Sequence, residues 1–221
     1  MLKSKLFISV TAAFLASTAA VNAADVVYEP VVETPPAAVA YDWSGFYAGA
    51  AIGWIGVRPN SQNVNQIQPD SDGLTGGVFA GYNYQMGSFV LGAEADINAN
   101  AASETESCAN ATFDCNAGSD WNGSVRLRAG VALDRVHVYG TGGFAFGDFY
   151  GYTDNGTRFG DSETLTGWVA GGGIEYAATE KLIVGVEALY SDFGDNTMQY
   201  DGLYEVSPSF TTVKFRAAMK F

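Results

Sequence analysis

Phe210-Thr-Thr-Val-Lys-Phe-Arg-Ala-Ala-Met-Lys-Phe221 is the stretch that decides how this chain reads. Val213, Phe215, Ala217, Met219 and Phe221 share one face of a two-residue repeat; Thr212, Lys214, Arg216, Ala218 and Lys220 share the other. Successive side chains of a β-strand point to opposite faces, so this is a strand with one apolar and one charged side. Domains bathed in water tend to finish in polar, frayed residues. Here an aromatic residue stands last, on the apolar side.

The same alternation recurs upstream over Gly45 to Val57, about Thr75 to Tyr84, Phe89 to Asn98, Trp121 to Leu133, Val136 to about Phe146, about Thr164 to Tyr176 and Leu182 to about Tyr190. The connections alternate in length. Residues 85–88, 134–135 and 177–181 are short; 58–74, 99–120, 147–163 and 192–208 are long. Short periplasmic turns and long external loops belong to membrane barrels, and a water-soluble barrel has no need of that asymmetry. The expectation over residues 43–221 is an all-β protein, an eight-stranded antiparallel up-and-down transmembrane β-barrel with four long extracellular loops.

The other end agrees with export. Lys3 and Lys5 precede an apolar run from Leu6 to Ala20, closed by the small-residue pattern Val21-Asn22-Ala23. Residues 1–23 are therefore read as a signal peptide. Residues 24–42 hold three of the six prolines and read as an extended periplasmic arm. No other run approaches ~18 apolar residues, so no spanning helix is expected. Yet 48% of residues are hydrophobic, 14% are aromatic and 27 are glycine. Loss of the two signal lysines moves the net charge from −13 to −15, an acidity that speaks against nucleic acid as a partner.

Within the strands, Phe46, Tyr82, Tyr84, Phe89, Tyr176 and Phe221 lie near the periplasmic ends and Trp54, Trp121 and Trp168 toward the outer ends. Two such bands are the expected aromatic belts at the two headgroup levels. Inward positions collect Glu94, Asp96, Arg126, Arg128, Glu175, Glu187, Lys214, Arg216 and Lys220, which predicts a lumen ion-pair network, because buried charge must be paired. Eight strands leave an interior only wide enough for side chains, so the lumen is expected to be plugged. The small inward residues, Gly49, Gly53, Gly81 and Gly173 among them, leave space for water. Cys108 and Cys115 sit in one polar loop of an exported chain and are expected to pair.

Catalytic chemistry is not expected. His137 is the single histidine, faces inward, and has no acid and exposed nucleophile evident beside it. Asp70-Ser-Asp-Gly73 opens like a calcium loop but lacks the later glycine and glutamate, so no metal site is expected.

Asp42-Trp-Ser-Gly-Phe-Tyr-Ala-Gly-Ala-Ala-Ile-Gly-Trp54, Thr166-Gly-Trp-Val-Ala-Gly-Gly-Gly-Ile-Glu-Tyr176, Glu187-Ala-Leu-Tyr-Ser-Asp-Phe-Gly194 and the terminal strand resemble the alphaproteobacterial 25/31-kDa outer-membrane protein family. The barrel also looks like the eight-stranded OmpA domain, without its peptidoglycan-binding domain. The resemblance implies a monomer in the outer membrane of a Gram-negative bacterium, in contact with lipid and lipopolysaccharide. It implies Met219 and Phe221 as the end read by the barrel-assembly machinery. Some members are joined to peptidoglycan through the mature N-terminus, which would here be Ala24-Asp25. Some bind haem, for which His137 or a loop tyrosine such as Tyr150, Tyr152, Tyr200 or Tyr204 would be needed; no cofactor is expected. Three functions follow: a structural barrel supporting the envelope and linked to the wall, a surface adhesin or ligand-binding barrel, and a narrow solute channel.

Overall fold

In the computed structural model, the described residues are 41–59, 70–107, 114–154, 157–199 and 203–221. The signal peptide, the arm up to residue 40 and Cys108 lie outside them. Among the described residues ten strands occur in chain order: β1 Gly45–Arg58, β2 Ser71–Met86, β3 Phe89–Ser107, β4 Asp114–Leu133, β5 Val136–Asp154, β6 Arg158–Ala177, β7 Leu182–Asp192, β8 Asn196–Gln199, β9 Leu203–Val206 and β10 Ser209–Lys220. Eight of them close a barrel in the order β1-β10-β7-β6-β5-β4-β3-β2, while β8 and β9 pair only with each other. Every neighbouring pair is antiparallel, and the seam runs from Tyr47 opposite Lys220 to Arg58 opposite Ser209.

Alternation decides which side chains meet lipid. On β1, Phe46, Ile52 and Trp54 are exposed while Tyr47 and Ile55 are buried; on β10, Val213, Phe215 and Met219 are exposed while Lys214 and Arg216 are buried. This inverts the arrangement of a water-soluble barrel and suits a lipid solvent, where closure satisfies every strand edge. Tyr82, Tyr84, Phe89, Trp168, Tyr176 and Phe221 of the expected belts also point outward. Trp121 is half-buried against Phe146, ring centroids 6.1 Å apart.

The long connections differ from expectation. β3, β4, β5 and β6 run for 19, 20, 19 and 20 residues, whereas about 9–11 tilted residues cross a bilayer. Much of the expected loops 99–120 and 147–163 is therefore strand standing above the membrane. Apolar alternation stops where lipid stops, but the hydrogen-bond ladder continues, joined by polar pairs such as Asn116 Nδ2 to Thr105 Oγ1 at 2.7 Å. The expected loop 192–208 contains the β8–β9 hairpin.

Within that raised part, β4 carries a bulge. Gly118 pairs with Tyr150 and Asn122 with Gly147, so three residues of β4 stand against two of β5. The shift would orphan backbone donors. Asp148 accepts them: its carboxylate takes the amides of Asp120 at 3.0 Å and Trp121 at 2.7 Å, and the Ser119 hydroxyl at 3.3 Å.

Candidate functional site

The lumen is the candidate site, and it is built in three layers. Its floor closes the periplasmic mouth. Residues 41–44 cross that mouth as a strap, so Tyr41 and Asp42 belong with the barrel instead of the free arm in which the sequence reading placed them. The Trp43 amide donates to Gln85 Oε1 at 2.7 Å and its indole to the Asp134 carbonyl at 3.0 Å. The Tyr41 amide donates to Asp134 Oδ1 at 3.1 Å and its hydroxyl to the Glu180 carbonyl at 3.4 Å. The Ser44 amide donates to Asp42 at 2.8 Å, and the hydrogen bonds from Ser44 hold that carboxyl below the usual carboxylate range. Trp43 is 1% exposed and packs 5.0 Å from the His137 ring.

Lys220 belongs here and not in the charge network expected of it. Its Nζ donates to the Asp42 carbonyl and lies 4.9 Å from the Tyr41 ring. The position is inward by alternation, but at the last residue of β10 the side chain is already at the rim.

Above the floor the remaining eight charges meet. Arg126 donates to Glu94 at 2.6 Å, Asp96 at 3.1 Å and Glu187 at 3.0 Å. Arg128 takes Glu94 at 2.9 Å and Glu175 at 2.6 Å. Arg216 bonds Glu187 at 2.6 Å and also Glu94. Lys214 stands opposite Glu187 in register but reaches Asn98 at 3.2 Å and Asp96 at 3.8 Å instead. Four acids thus face four bases, as buried charge requires.

Two tyrosines complete the layer, and sequence reasoning gave them no role. Tyr47 Oη donates to Glu94 and Tyr139 Oη to Glu187, each at 2.9 Å. Arg128 lies 3.9 Å from the Tyr139 ring centroid, and Arg216 lies 4.0 Å from that of Phe79. The inward glycines make room for these rings: a Cβ at Gly81 would stand 2.4 Å from Tyr47 Oη, and one at Gly173 2.6 Å from Tyr139 Oη. Aromatic rings therefore occupy space that the sequence reading had left to water. His137 does have a paired acid, Glu175 Oε2 at 3.4 Å, directly opposite it in the β5–β6 register. That register is set at the far end of the hairpin, where Asp154 stands opposite Arg158, inside what the sequence reading took as the long connection 147–163.

The ceiling is apolar. Ile55, Phe149, Leu165, Phe193, Val206 and Phe210 form one buried cluster, to which the β8–β9 hairpin contributes Val206. Cys115 is buried and disulfide-bonded. Among the described residues no group of His, Cys, Asp and Glu is arranged to hold a metal.

An antiparallel barrel with lipid-facing apolar side chains outside and compensated charge inside is an integral barrel of the outer membrane. Residues 10–221 match the family described as the outer membrane protein beta-barrel domain, and the chain belongs to that family. It is 32% identical to the 31 kDa outer-membrane immunogenic protein of Brucella melitensis, over 100% of both chains. It is 30% identical to the 22 kDa outer membrane protein of Rhizobium leguminosarum, over 84% of this chain and 82% of that one. Among solved structures, Neisserial surface protein A is similar at 17% identity and a TM-score of 0.47, covering 80% of this chain and 98% of that one.

Proposed function

We propose that this outer-membrane barrel is a structural element of the envelope. The observation that carries the reading is the sealed lumen: floor, charge layer and ceiling are each built from side chains buried by packing, and Arg126 and Glu187 in the middle layer are each 1% exposed. A cross-linked interior of paired charges favours a rigid, load-bearing wall over a conduit, even with the Nε atoms of Arg126, Arg128 and Arg216 left without a protein partner. The exterior is solvated by lipid and, in the outer leaflet, lipopolysaccharide. The finer part of the proposal is attachment to peptidoglycan through Ala24-Asp25 at the head of the proline-containing arm. Ala24 stands 17 residues before Tyr41, and that many residues at the ~3.1 Å rise of an extended chain would span roughly 50 Å.

Two measurements test it. Sacculi boiled in detergent and digested with trypsin and muramidase are expected to yield a peptide that begins at Ala24, runs through the trypsin-resistant Arg58–Pro59 bond to Arg126 and carries a muropeptide. Free Ala24 in the membrane fraction alone removes the tether. In planar bilayers the protein is expected to give no steady conductance; a stable open level that disappears on charge replacement in the lumen makes it a channel.

A further inference from the structure

The four longest strands carry the lipid-facing side of the wall up beyond the membrane. On β5, Phe144 is exposed and Phe149 is buried in the ceiling, so alternation places Phe146, Tyr150 and Tyr152 on the outward face with Phe144. Phe146 lies against Trp121 at the outer end of the lipid-facing surface. Tyr150 and Tyr152 follow it by four and six residues. At ~3.4 Å per residue and a tilt of roughly 40°, they stand about 10 and 15 Å higher. The register fills out two rows across the sheet at that height. Ser103, Gly118, Tyr150 and Ser162 stand side by side, and above them Thr105, Asn116, Tyr152 and Gly160.

The two tyrosines lie down on this face instead of standing off it. A Cβ at Gly118 would collide with the Tyr150 hydroxyl, and one at Gly160 with the Tyr152 ring. Each ring occupies the space a glycine leaves on the neighbouring strand, Tyr150 toward β4 and Tyr152 toward β6. Their centroids are 5.7 Å apart and their planes 32° from parallel, which makes a shallow aromatic floor. Both rings stay half-exposed. Ser103 hydrogen-bonds the Tyr150 hydroxyl and Asn116 donates to Thr105, which fixes the polar edge on the β3 side. Neither row holds a charged residue, although the chain is strongly acidic. Asp120 and Asp148 border the rows below, at the bulge, and Asp114 and Asp154 border them above. Glu104 and Glu106 alternate onto the opposite face of the sheet.

We propose that this face binds the saccharide of outer-leaflet lipopolysaccharide, one sugar ring stacked on Tyr150 and Tyr152 and its hydroxyls met by Ser103, Thr105, Asn116 and Ser162. The face continues the lipid-facing wall without a break, since the β5–β6 register runs on from Phe144 opposite Trp168 to Tyr152 opposite Gly160. Whatever headgroup stands on the outer leaflet beside Phe144 and Trp168 therefore stands beside the tyrosines as well. A pyranose offers C–H groups on its ring face and hydroxyls on its rim. Aromatic faces carry partial negative charge and attract the first. Tyrosine, serine, glycine and asparagine together supply rigid contact area and adaptable hydrogen bonds for the second. A phosphate of the same glycolipid would find no cation in either row and acids on both borders, so the match is to neutral sugar.

The full chain, folded in detergent with EDTA present, would be mixed with equal amounts of lipopolysaccharide bearing a complete core oligosaccharide and of lipid A with the same acyl chains, and weighed by native mass spectrometry. At least threefold more lipopolysaccharide than lipid A is expected to remain bound. The double variant Tyr150→Ala/Tyr152→Ala should bring that ratio to one. Tyr152→Phe should keep it, because stacking needs the ring and not the hydroxyl, and Glu104→Gln, on the opposite face, should leave it unchanged. Equal retention by the unaltered protein overturns the proposal, and so does a preference that survives in the double alanine variant. A preference seen only when magnesium replaces EDTA also overturns it, by giving the binding to phosphate bridged to the acids. Tighter capture of an unrelated neutral glycan than of the core oligosaccharide freed from lipid would make the face a receptor for foreign sugars instead. Heat-dependent electrophoretic mobility confirms that each variant is folded before it is weighed.

Discussion

Arg126 on β4 and Glu187 on β7 bond across the barrel at 3.0 Å, with neither side chain exposed. Two strands, β5 and β6, separate them along the shorter arc of the wall. The pair is therefore a strut across the lumen and not a rung between neighbours. Removing one member of a buried pair costs about 3–5 kcal/mol when the other is left uncompensated; here Glu187 keeps Arg216 and Tyr139, and the layer is left with four acids against three bases. Arg126→Ala is expected to lower the temperature at which the barrel loses its compact electrophoretic mobility, far more than Asp72→Ala at the exposed Arg58 pair. Equal shifts would mean that the network bears no load.

Asp148 makes a second, smaller prediction. Asp148→Ala leaves the Asp120 and Trp121 amides without their acceptor. A fully buried unsatisfied donor costs about 1–3 kcal/mol, and these part-buried ones should cost less. Hydrogen exchange at those two amides should accelerate at least tenfold, with the lower barrel unaffected. Asp148→Asn keeps one acceptor oxygen and should fall between. Unchanged exchange in Asp148→Ala would show that the bulge holds itself.

Glycine replacements should change sign with the face they occupy. At Gly140 an added Cβ has nothing nearer than 3.9 Å, so Gly140→Ala should be neutral or stabilise by roughly 0.5–1 kcal/mol. At Gly81 the added methyl meets Tyr47 Oη and pushes it from Glu94. Gly81→Ala should destabilise by roughly 1–3 kcal/mol. Urea unfolding of both variants in lipid vesicles measures the contrast, and the same sign for both refutes it.

The floor can be tested chemically. His137 is fully buried beneath Trp43. Diethyl pyrocarbonate should leave the folded protein unmodified and should label Trp43→Ala at His137. The bilayer should nevertheless stay electrically closed in that variant, because the charge layer and ceiling are untouched. Labelling of the unaltered protein at the same rate would show that the strap does not cover the mouth.

Strand faces and closure were legible because alternation reports the solvent on each side, and lipid makes one side unmistakable. The ends of β3 to β6 were not, since above the membrane both faces see water and the alternation that marks a strand fades. In the lumen, eight inward charges could be read from parity along each strand. Their partners could not. Register places Lys214 opposite Glu187, yet Lys214 turns to Asp96, a choice set by the barrel's diameter and by Arg216 already holding Glu187. Tyr47 and Tyr139 escaped notice because an inward tyrosine looks ordinary until its hydroxyl is seen on a carboxylate.

The strap at residues 41–44 also keeps time. Its acceptors come from Gln85, Asp134 and Glu180, and Lys220 grips Asp42. Gln85, Asp134 and Glu180 stand at successive short-turn ends of β2 to β7, and Lys220 adds its contact from β10 where the barrel closes on β1. Without that closure the mouth over Tyr41 and Trp43, now 4% and 1% exposed, stays open on one side. An unfinished barrel consequently displays an aromatic pair to the periplasm and a finished one hides it.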